Sequence, residues 1–478
     1  MKQYIEHLNS LSSKQLVLLL AKQKQAQTAP VAVLGTGCRL PGNINSLDTL
    51  WHSLMRGDVH TKHYPNGPPG VNDQPRWHPK KFVNSPALTN GAYLSELDIT
   101  ANPLNLNEQE LLFMDPQHRL LLECTLDALH QAGLDKNALR GKKVGIFIGI
   151  SAAEYLYASM VNGLAAEDLS PYMGTGVALS SAPGRIAMLL QSEGPTLAVD
   201  SACSSALSAL HQAKLALRSG ECDYAITGAS HLLLSPYTAM VFDQAKMLAQ
   251  EGIAKVFDVA ADGHVRGEGA GVLLLCRKDV LQQQEHKPLA WVRGTAIHQQ
   301  GQRPAMSVST GLSQQQVISQ ALQDGLVQVE DIDYVEAHAT GGNLGAQVEM
   351  ENLAIAYRRD KPLYVGSHKA NFGHLEAASG IVSLLKSIAL LQQRQIPAQV
   401  NLQQIAAEIQ ATKGHLKIPQ ENMPLESGKT LYCGVSSFGF TGTNSHAILQ
   451  EDSSVNGNHQ PRETDAQKSL WPTNNLWN

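Results

Sequence analysis

An α/β protein with a mainly parallel core is predicted by three observations in this 478-residue chain. Short apolar, β-branched runs bounded by glycine recur along most of its length, as strands buried on both faces should. Leucine-striped segments at helical spacing fall between them, and strands alternating with helices imply parallel crossovers. The third observation is a faint internal repeat. Asp223-Tyr-Ala-Ile-Thr-Gly-Ala-Ser resembles Asp333-Tyr-Val-Glu-Ala-His-Ala-Thr, and the helix opened by Ala202-Cys-Ser-Ser-Ala-Leu resembles the one opened by His374-Leu-Glu-Ala-Ala-Ser-Gly. Two related lobes would each place a reactive residue at a helix start near a shared interface: Cys203 from the first, His374 from the second.

Taken in order, residues 1–28 read as one amphipathic helix, with Ile5, Leu8, Leu11, Leu16, Leu18, Leu19 and Leu20 among Gln, Lys and Ser. It is either a docking segment for another protein of an assembly or a helix that packs on its own domain. Strands are predicted at Val31–Gly35, Val144–Gly149, Thr196–Val199, Tyr224–Thr227 and Gly271–Cys276, then at Trp291–Ala296, Tyr334–Ala337, Leu363–Gly366, Thr430–Val435 and His446–Leu449. Helices are predicted at Asp115–Ala132, Cys203–Ser219, Ser313–Asp324, Val348–Tyr357 and His374–Gln393. The first lobe then covers 31–285 and the second 286–451. Residues 60–92, rich in Pro, Gly, Asn and His, read as a surface excursion, and 452–478 as a polar disordered tail.

Composition bounds the function. With 43% hydrophobic residues there is ample material for a large core. Lys and Arg number 37 against 42 Asp and Glu, a net charge of −5 that gives no bulk attraction to nucleic acid. The six cysteines are scattered, with no CxxC pair and no metal spacing. Five are expected to pack as small hydrophobes in a reducing cytoplasm. The start lacks the order of a signal peptide, and no apolar run approaches the ~20 residues of a membrane span. A soluble, cytoplasmic protein is expected.

The chemistry centres on Thr196-Leu-Ala-Val-Asp200-Ser-Ala-Cys203-Ser-Ser-Ala-Leu207, read as a buried strand, a sharp turn and a helix whose first turn carries Cys203. A thiol there sees the positive end of the helix dipole and unpaired backbone N–H groups, which favour thiolate. A cysteine taken alone is more often a buried structural residue. Three further stretches put polar residues where a buried α/β core avoids them. They are Glu336-Ala-His338-Ala-Thr340-Gly-Gly, Lys369-Ala-Asn371-Phe-Gly-His374-Leu-Glu-Ala-Ala-Ser-Gly, and Ser436-Ser-Phe438-Gly-Phe440-Thr-Gly-Thr443-Asn444-Ser-His446. There is no GxSxG and no GKS/T, so neither a serine hydrolase nor a P-loop enzyme has its motif.

Together these stretches resemble the β-ketoacyl synthase family of the thiolase superfamily, specifically the ketosynthase domains of modular polyketide synthases. The resemblance runs from about Val31 to Glu451 and includes Asp115-Pro-Gln-His-Arg-Leu-Leu-Leu-Glu123 and Phe257-Asp-Val-Ala-Ala-Asp-Gly-His-Val-Arg-Gly-Glu-Gly269. It implies a thiolase-like fold: two related βαβ lobes with central, mainly parallel sheets in an α/β/α/β/α layering. It implies that Cys203 takes an acyl chain as a thioester. His338 and His374 would promote decarboxylation of a malonyl-type extender by stabilising its enolate, whose carbon then attacks the acyl group. The oxyanion would sit on the backbone N–H groups of Cys203 and Phe440, with Phe440 also a gate. Lys369 and Asn444 would orient the histidines and any ordered water, and Thr340 would contact the phosphopantetheine arm. No metal and no cofactor is implied beyond the substrates' carriers. The partners implied are acyl carrier proteins in trans and a second copy of the chain, paired near Thr196–Val199. Other synthase subunits would dock through the N-terminal helix.

The chain departs from the family pattern in three places. Gly342 stands where a second threonine is usual, and its missing hydroxyl is worth about 0.5–1.5 kcal/mol to the carrier arm. Ala346-Gln347-Val348-Glu349 replaces an Asp-Pro-Ile-Glu run. The 298–311 segment also differs where the acyl channel is expected. The expected activity is condensation by a free-standing ketosynthase, an excised fragment being the other reading of the ends. The alternative activity is a non-elongating acyl transferase shuttling chains between carriers. The presence of His338 favours elongation, Cys203 argues against a non-catalytic chain-length factor, and the two-histidine form against a thiolase. His374→Ala is expected to spare acyl loading while condensation collapses.

Overall fold

The computed structural model describes residues 2–70, 76, 86–95, 102–151, 154–161, 170–282, 287–302, 310–412, 414–425 and 428–452. Eleven of the described strands form one sheet. They are β1 (Val31–Arg39), β2 (Val144–Gly149), β3 (Thr196–Val199), β4 (Tyr224–His231), β5 (Gly269–Arg277), β6 (Ala290–Gln299), β7 (Tyr334–Glu336), β8 (Leu363–Gly366), β9 (Leu416–Lys417), β10 (Tyr432–Phe438) and β11 (Thr443–Gln450). The helices that matter here are α1 (Lys2–Ser10), α2 (Ser13–Thr28), α3 (Pro116–Gln131), α4 (Ser205–Ser219), α5 (Gly311–Gly325), α6 (Asn343–Ala356) and α7 (Ser379–Gln393).

The sheet order is β9-β8-β7-β10-β11-β6-β1-β5-β4-β2-β3. Outward from the centre the first half runs β1, β5, β4, β2, β3, and the second runs β6, β11, β10, β7, β8. With the two-residue edge strand β9 set aside, each half follows its own first, fifth, fourth, second and third strand, so the two lobes share one topology. Parallel pairing occupies the flanks (β2 with β3 and β4, β7 with β8 and β10), while the middle strands pair antiparallel.

Alternation along the strands sorts side chains into separate cores. Val31 and Val33 of β1, Leu273 and Leu275 of β5, and Cys433 and Val435 of β10 point into a central core shared with α4 and α7. Ala32, Leu34, Val272 and Leu274 point the other way, onto α3. Val335 and Ile448 face the core of α5 and α6. The result is helix, sheet, helix, sheet, helix, the layering expected. The two central helices approach so closely that a Cβ added at Gly380 would stand 3.0 Å from that of Ala206.

The lobes also match residue for residue at these helices. Ala202–Ser204 and Glu376–Ala378 are single 3-10 turns, each opened by a left-handed residue (Ala202, φ 55°; Glu376, φ 44°) and each followed by a 15-residue helix. Cys203 therefore matches Ala377, and His374 matches Asp200. The strand half of the expected repeat does not hold, because Asp223-Tyr opens the fourth strand of its lobe and Asp333-Tyr the second.

The N-terminal segment is two helices rather than one. Ser12 breaks it by accepting a hydrogen bond from the Gln15 N–H (3.4 Å) while its own N–H donates to Gln15 Oε1 (2.8 Å), a local bond that competes with helix continuation. Val17, Leu18, Leu19 and Leu20 are exposed. The 60–92 excursion is partly built in: Ala87, Leu88 and Ala92 are buried, and Lys62–His63 pairs with Asn90–Gly91. Residues 71–75, 77–85 and 453–478, with the expected tail, lie outside the described residues.

Candidate active site

The turn after β3 is locked from both lobes. Asp200 Oδ1 accepts from the Ala202 N–H at 3.0 Å, and Ser205 Oγ donates to the Ala202 carbonyl at 2.6 Å. From β10, Ser437 Oγ donates to the carbonyl of Cys203 itself at 2.7 Å. Cys203 sits in the 3-10 turn just before α4, not in its first α-helical turn as expected. The β10–β11 turn lies against it because residue 439 is glycine: an added Cβ would stand 2.3 Å from the Ser201 carbonyl oxygen. That approach brings the Phe440 N–H to the thiol, alongside the N–H of Cys203. The Phe440 side chain is 51% exposed at the mouth.

His374 Nε2 lies 3.2 Å from Cys203 Sγ, and its Nδ1 lies 2.7 Å from Ser379 Oγ, the first residue of α7. The tautomer with Nδ1–H donating to Ser379 leaves the Nε2 lone pair facing the thiol. The backbone of His374 is pinned by its N–H donating to the Val265 carbonyl (2.7 Å) and its carbonyl accepting from the Gly267 N–H (2.9 Å). Gly373 makes this possible at φ 70°, where a Cβ would stand 2.7 Å from the Val265 oxygen.

The thiolate expected from the helix dipole is not what this environment favours. Burial pushes the Cys203 thiol up to about 12, with Glu376 acting in the same direction. Lys369 and the two backbone N–H groups pull the other way without matching it. Burial, His338 and Lys369 hold His374 well below the ordinary histidine range. These shifts favour a protonated thiol beside a neutral imidazole, an arrangement in which His374 Nε2 is placed to accept the thiol proton.

His338 stands perpendicular to His374 with ring centroids 5.4 Å apart. Its backbone is fixed by Glu349 on α6, whose carboxylate accepts from the N–H groups of His338 (2.7 Å) and Ala339 (2.8 Å). Its Nδ1 is buried with no hydrogen-bond partner among the described residues. Burial holds the Lys369 ammonium below the usual lysine range, and its charge acts on Cys203, His338 and His374 alike. Thr340 is half-buried just beyond His338. The Asn444 amide donates to Ser313 Oγ (3.0 Å) and accepts from Gln300 Nε2 (3.4 Å). Gln300 Oε1 also accepts from the Thr310 N–H (3.0 Å), tying together the ends of the 298–311 segment, of which 303–309 lies outside the described residues.

Sequence reasoning assigned no role to the charged platform beneath this site. Glu336 is fully buried and accepts from the His368 N–H (2.6 Å), Lys386 Nζ (2.8 Å) and Tyr334 OH (2.5 Å). Burial would raise its carboxyl, but Lys386 and His368 outweigh it and hold the group at about 2. Glu336→Gln should lower stability by about 3–5 kcal/mol in urea melts, because it strands the Lys386 ammonium in the core. The contribution of Glu336 is present above the ordinary carboxylate range and is lost as pH falls towards about 2. A wild-type excess in stability that persists at pH 2 would refute this origin.

Comparison with known proteins matches this geometry. The N-terminal domain of β-ketoacyl synthases matches residues 28–280, the C-terminal domain 289–403, and the ketoacyl-synthetase C-terminal extension 406–475. The chain is 38% identical over 440 residues to the phenolphthiocerol synthesis polyketide synthase Pks15/1 of Mycobacterium marinum, covering 90% of this chain and 20% of that protein. It is 36% identical over 431 residues to the pikromycin polyketide synthase component PikAII of Streptomyces venezuelae, covering 88% of this chain and 11% of that one. It thus spans a fifth or less of these two multidomain relatives. The structure of the ketosynthase from module 6 of the Bacillus subtilis bacillaene synthase superposes with a TM-score of 0.79 at 30% identity, covering 88% of this chain and 72% of that one. The layered architecture is thiolase-like. With the matched domains covering both lobes and the Cys203–His374–His338 cluster lying where the lobes meet, this chain belongs to the β-ketoacyl synthase family, among the ketosynthases of polyketide synthases.

Proposed function

We propose that the protein catalyses decarboxylative condensation of a Cys203-bound acyl chain with a malonyl-type extender carried on an acyl carrier protein. The observation that carries this reading is the 3.2 Å contact of His374 Nε2 with Cys203 Sγ, with a second buried imidazole standing perpendicular to His374. In loading, His374 takes the thiol proton as sulfur attacks the incoming thioester, and that proton leaves with the departing carrier thiol. The oxyanion of the tetrahedral intermediate is stabilised by the N–H groups of Cys203 and Phe440. In condensation the extender loses CO2, and the enolate oxygen is stabilised by an N–H of His338 and by His374 in its other tautomer, with the proton on Nε2 and Ser379 Oγ donating to Nδ1. The enolate carbon attacks the acyl carbonyl, and the Cys203 thiolate leaves and recovers one proton. The chemistry needs neither metal nor redox cofactor. His338 favours this reading over simple transfer of acyl chains between carriers, because transfer through Cys203 has no use for a second imidazole.

Intact-protein mass spectrometry tests it. Acyl-loaded enzyme offered malonyl-carrier in trans should release CO2 and leave a chain longer by two carbons on the carrier, whereas unextended acyl transfer would sink it. Operation with carriers supplied in trans, as a free-standing enzyme, is part of the same reading and the same test.

Three further proposals follow the same lines. Pairing of two copies is supported by β3, the last strand of the sheet, whose Leu197 is 50% exposed. Docking of other synthase subunits is supported by the exposed leucines of α2. A cytoplasmic setting is supported by six cysteines that are all free thiols. No described helix is long and apolar enough to cross a membrane.

Gly342 provides a separate check. It has an ordinary φ of −83° at the N-cap of α6, and an added Cβ meets only Thr340 Oγ1, at 4.0 Å. Gly342→Thr should fold normally and lower KM for the carrier-bound extender by roughly two- to tenfold, the value of one recovered hydrogen bond. An unchanged KM would place the carrier arm elsewhere.

A further inference from the structure

The proposed chemistry uses two imidazoles, but a third packs against them. His264 is 6% exposed and stands edge-to-face against His374, with ring centroids 5.6 Å apart and an interplanar angle of 82°. It is one link in a row of five rings. Phe242 and His264 are 5.7 Å apart, His338 follows His374 at 5.4 Å, and Phe438 follows His338 at 5.6 Å. The two contacts to His374 are near-perpendicular, at 82° and 85°, and such contacts are directional, so the rings on either side restrict its plane.

His264 is itself well anchored. Its backbone N–H donates to the Met247 carbonyl at 2.9 Å, and its carbonyl accepts from the Ala249 N–H at 2.9 Å. The adjacent Val265 carbonyl is the group that holds the His374 N–H. One short segment therefore meets His374 twice, by backbone and by ring. Burial lowers His264 to about 4, so the ring is neutral at neutral pH and brings no charge against His374. Its Nε2 is buried without a hydrogen-bond partner among the described residues. The ring also borders a small cavity with Leu88, Tyr93 and Leu248. The ring of His374 is otherwise held by Ser379 at Nδ1, by the Cys203 thiol at Nε2 and by the His338 ring on the side away from His264.

We propose that His264 is a positioning residue, whose ring fixes the plane of the His374 imidazole so that Nε2 stays on the Cys203 sulfur. The inference rests on Cys203 and His374 acting as a pair, and it deepens the function proposed above without requiring the condensation step.

The test is alkylation of Cys203 by iodoacetamide in the full chain, followed by mass spectrometry of the Cys203 peptide, which needs no carrier or acyl substrate. In His264→Ala and His264→Leu, alkylation should slow by about tenfold, since a small misplacement of a reacting pair costs at least that much. Acyl loading should lose the same factor in kcat with KM within about twofold of wild type. His264→Phe keeps the ring edge and should restore both rates to within about threefold of wild type. Nitrogen NMR of His374 should report one tautomer in the wild type and His264→Phe, and averaging in His264→Leu. Alkylation at the wild-type rate in folded His264→Leu would overturn the proposal, as would a His264→Phe variant as slow as His264→Leu. If the alanine variant fails to fold, the leucine and phenylalanine pair decides alone. A wild-type enzyme that transfers but never extends chains would defeat the condensation reading and leave this inference standing.

Discussion

Cys203→Ala is expected to abolish acyl loading, with the rate of thioester formation falling by about 10⁴-fold or more. The other five thiols are all buried, and Cys203 alone is partly open. It is also the sulfur that meets an imidazole nitrogen and two backbone N–H groups. The turn itself should survive, because its hydrogen bonds run through Ser205 Oγ, Ser437 Oγ and backbone atoms rather than through sulfur. Stability within about 1 kcal/mol of wild type is therefore expected. The measurement is intact mass after incubation with an acyl-carrier or a small acyl thioester. An acyl adduct that persists on the folded variant would show that the nucleophile has been misassigned.

The thiol's resting state adds a pH signature. Because burial places Cys203 near 12 and keeps His374 neutral, loading should not rise through a thiolate titration near pH 8. A thiolate enzyme would show such a rise. The sequence pointed towards thiolate because a helix start and small neighbours were visible in it. Desolvation was not visible, since it depends on the second lobe closing over the turn and on Glu376 arriving from that lobe.

That contrast holds for the site as a whole. Several strand positions were legible because those strands are continuous apolar runs, and β2, β3 and β8 coincide with the runs read from sequence, whereas the two-residue β9 has no such run. Cys203, His338 and His374 were legible because each sits in a polar or small-residue interruption of such a run. Glu336 lay in view without a role, since its partners Lys386 and His368 come from different elements. His264 and Glu349 were equally silent. One reaches the site through ring packing and the other through backbone N–H groups, and neither leaves a spacing in the chain. Asn444 shows how much a local pattern leaves unread. The motif around it was clear, but its amide turns to Ser313 and Gln300, partners that no local pattern announces. The N-terminal break at Ser12 was readable in principle, because Ser12 and Gln15 have the spacing of a capping box. The leucine stripe masked it.

The second large effect separates the two imidazoles. His338→Ala should leave acyl loading within a few-fold of wild type and lower decarboxylative condensation by about 10²–10³-fold, the usual cost of losing one donor to a developing oxyanion. His338 meets His374 only ring against ring, and no hydrogen bond joins it to the thiol. His374→Ala should behave differently from what the sequence alone suggested. Its Nε2 faces a thiol whose pKa burial raises, so on the proposed mechanism its loss removes the base for loading and, in the other tautomer, a donor for the enolate. Loading should then fall by about 10²–10⁴-fold, the range for a lost general base. Raising the pH should recover part of that loss, because the thiol then ionises without help. The same treatment should do little for the condensation defect of His338→Ala, which has no missing base. Single-turnover loading and malonyl decarboxylation, measured side by side across pH for both variants, check the assignment. If His374→Ala loads at the wild-type rate at neutral pH, the 3.2 Å contact plays no part in activating the thiol. If His338→Ala loses loading as severely as His374→Ala, the division of labour between the two rings fails.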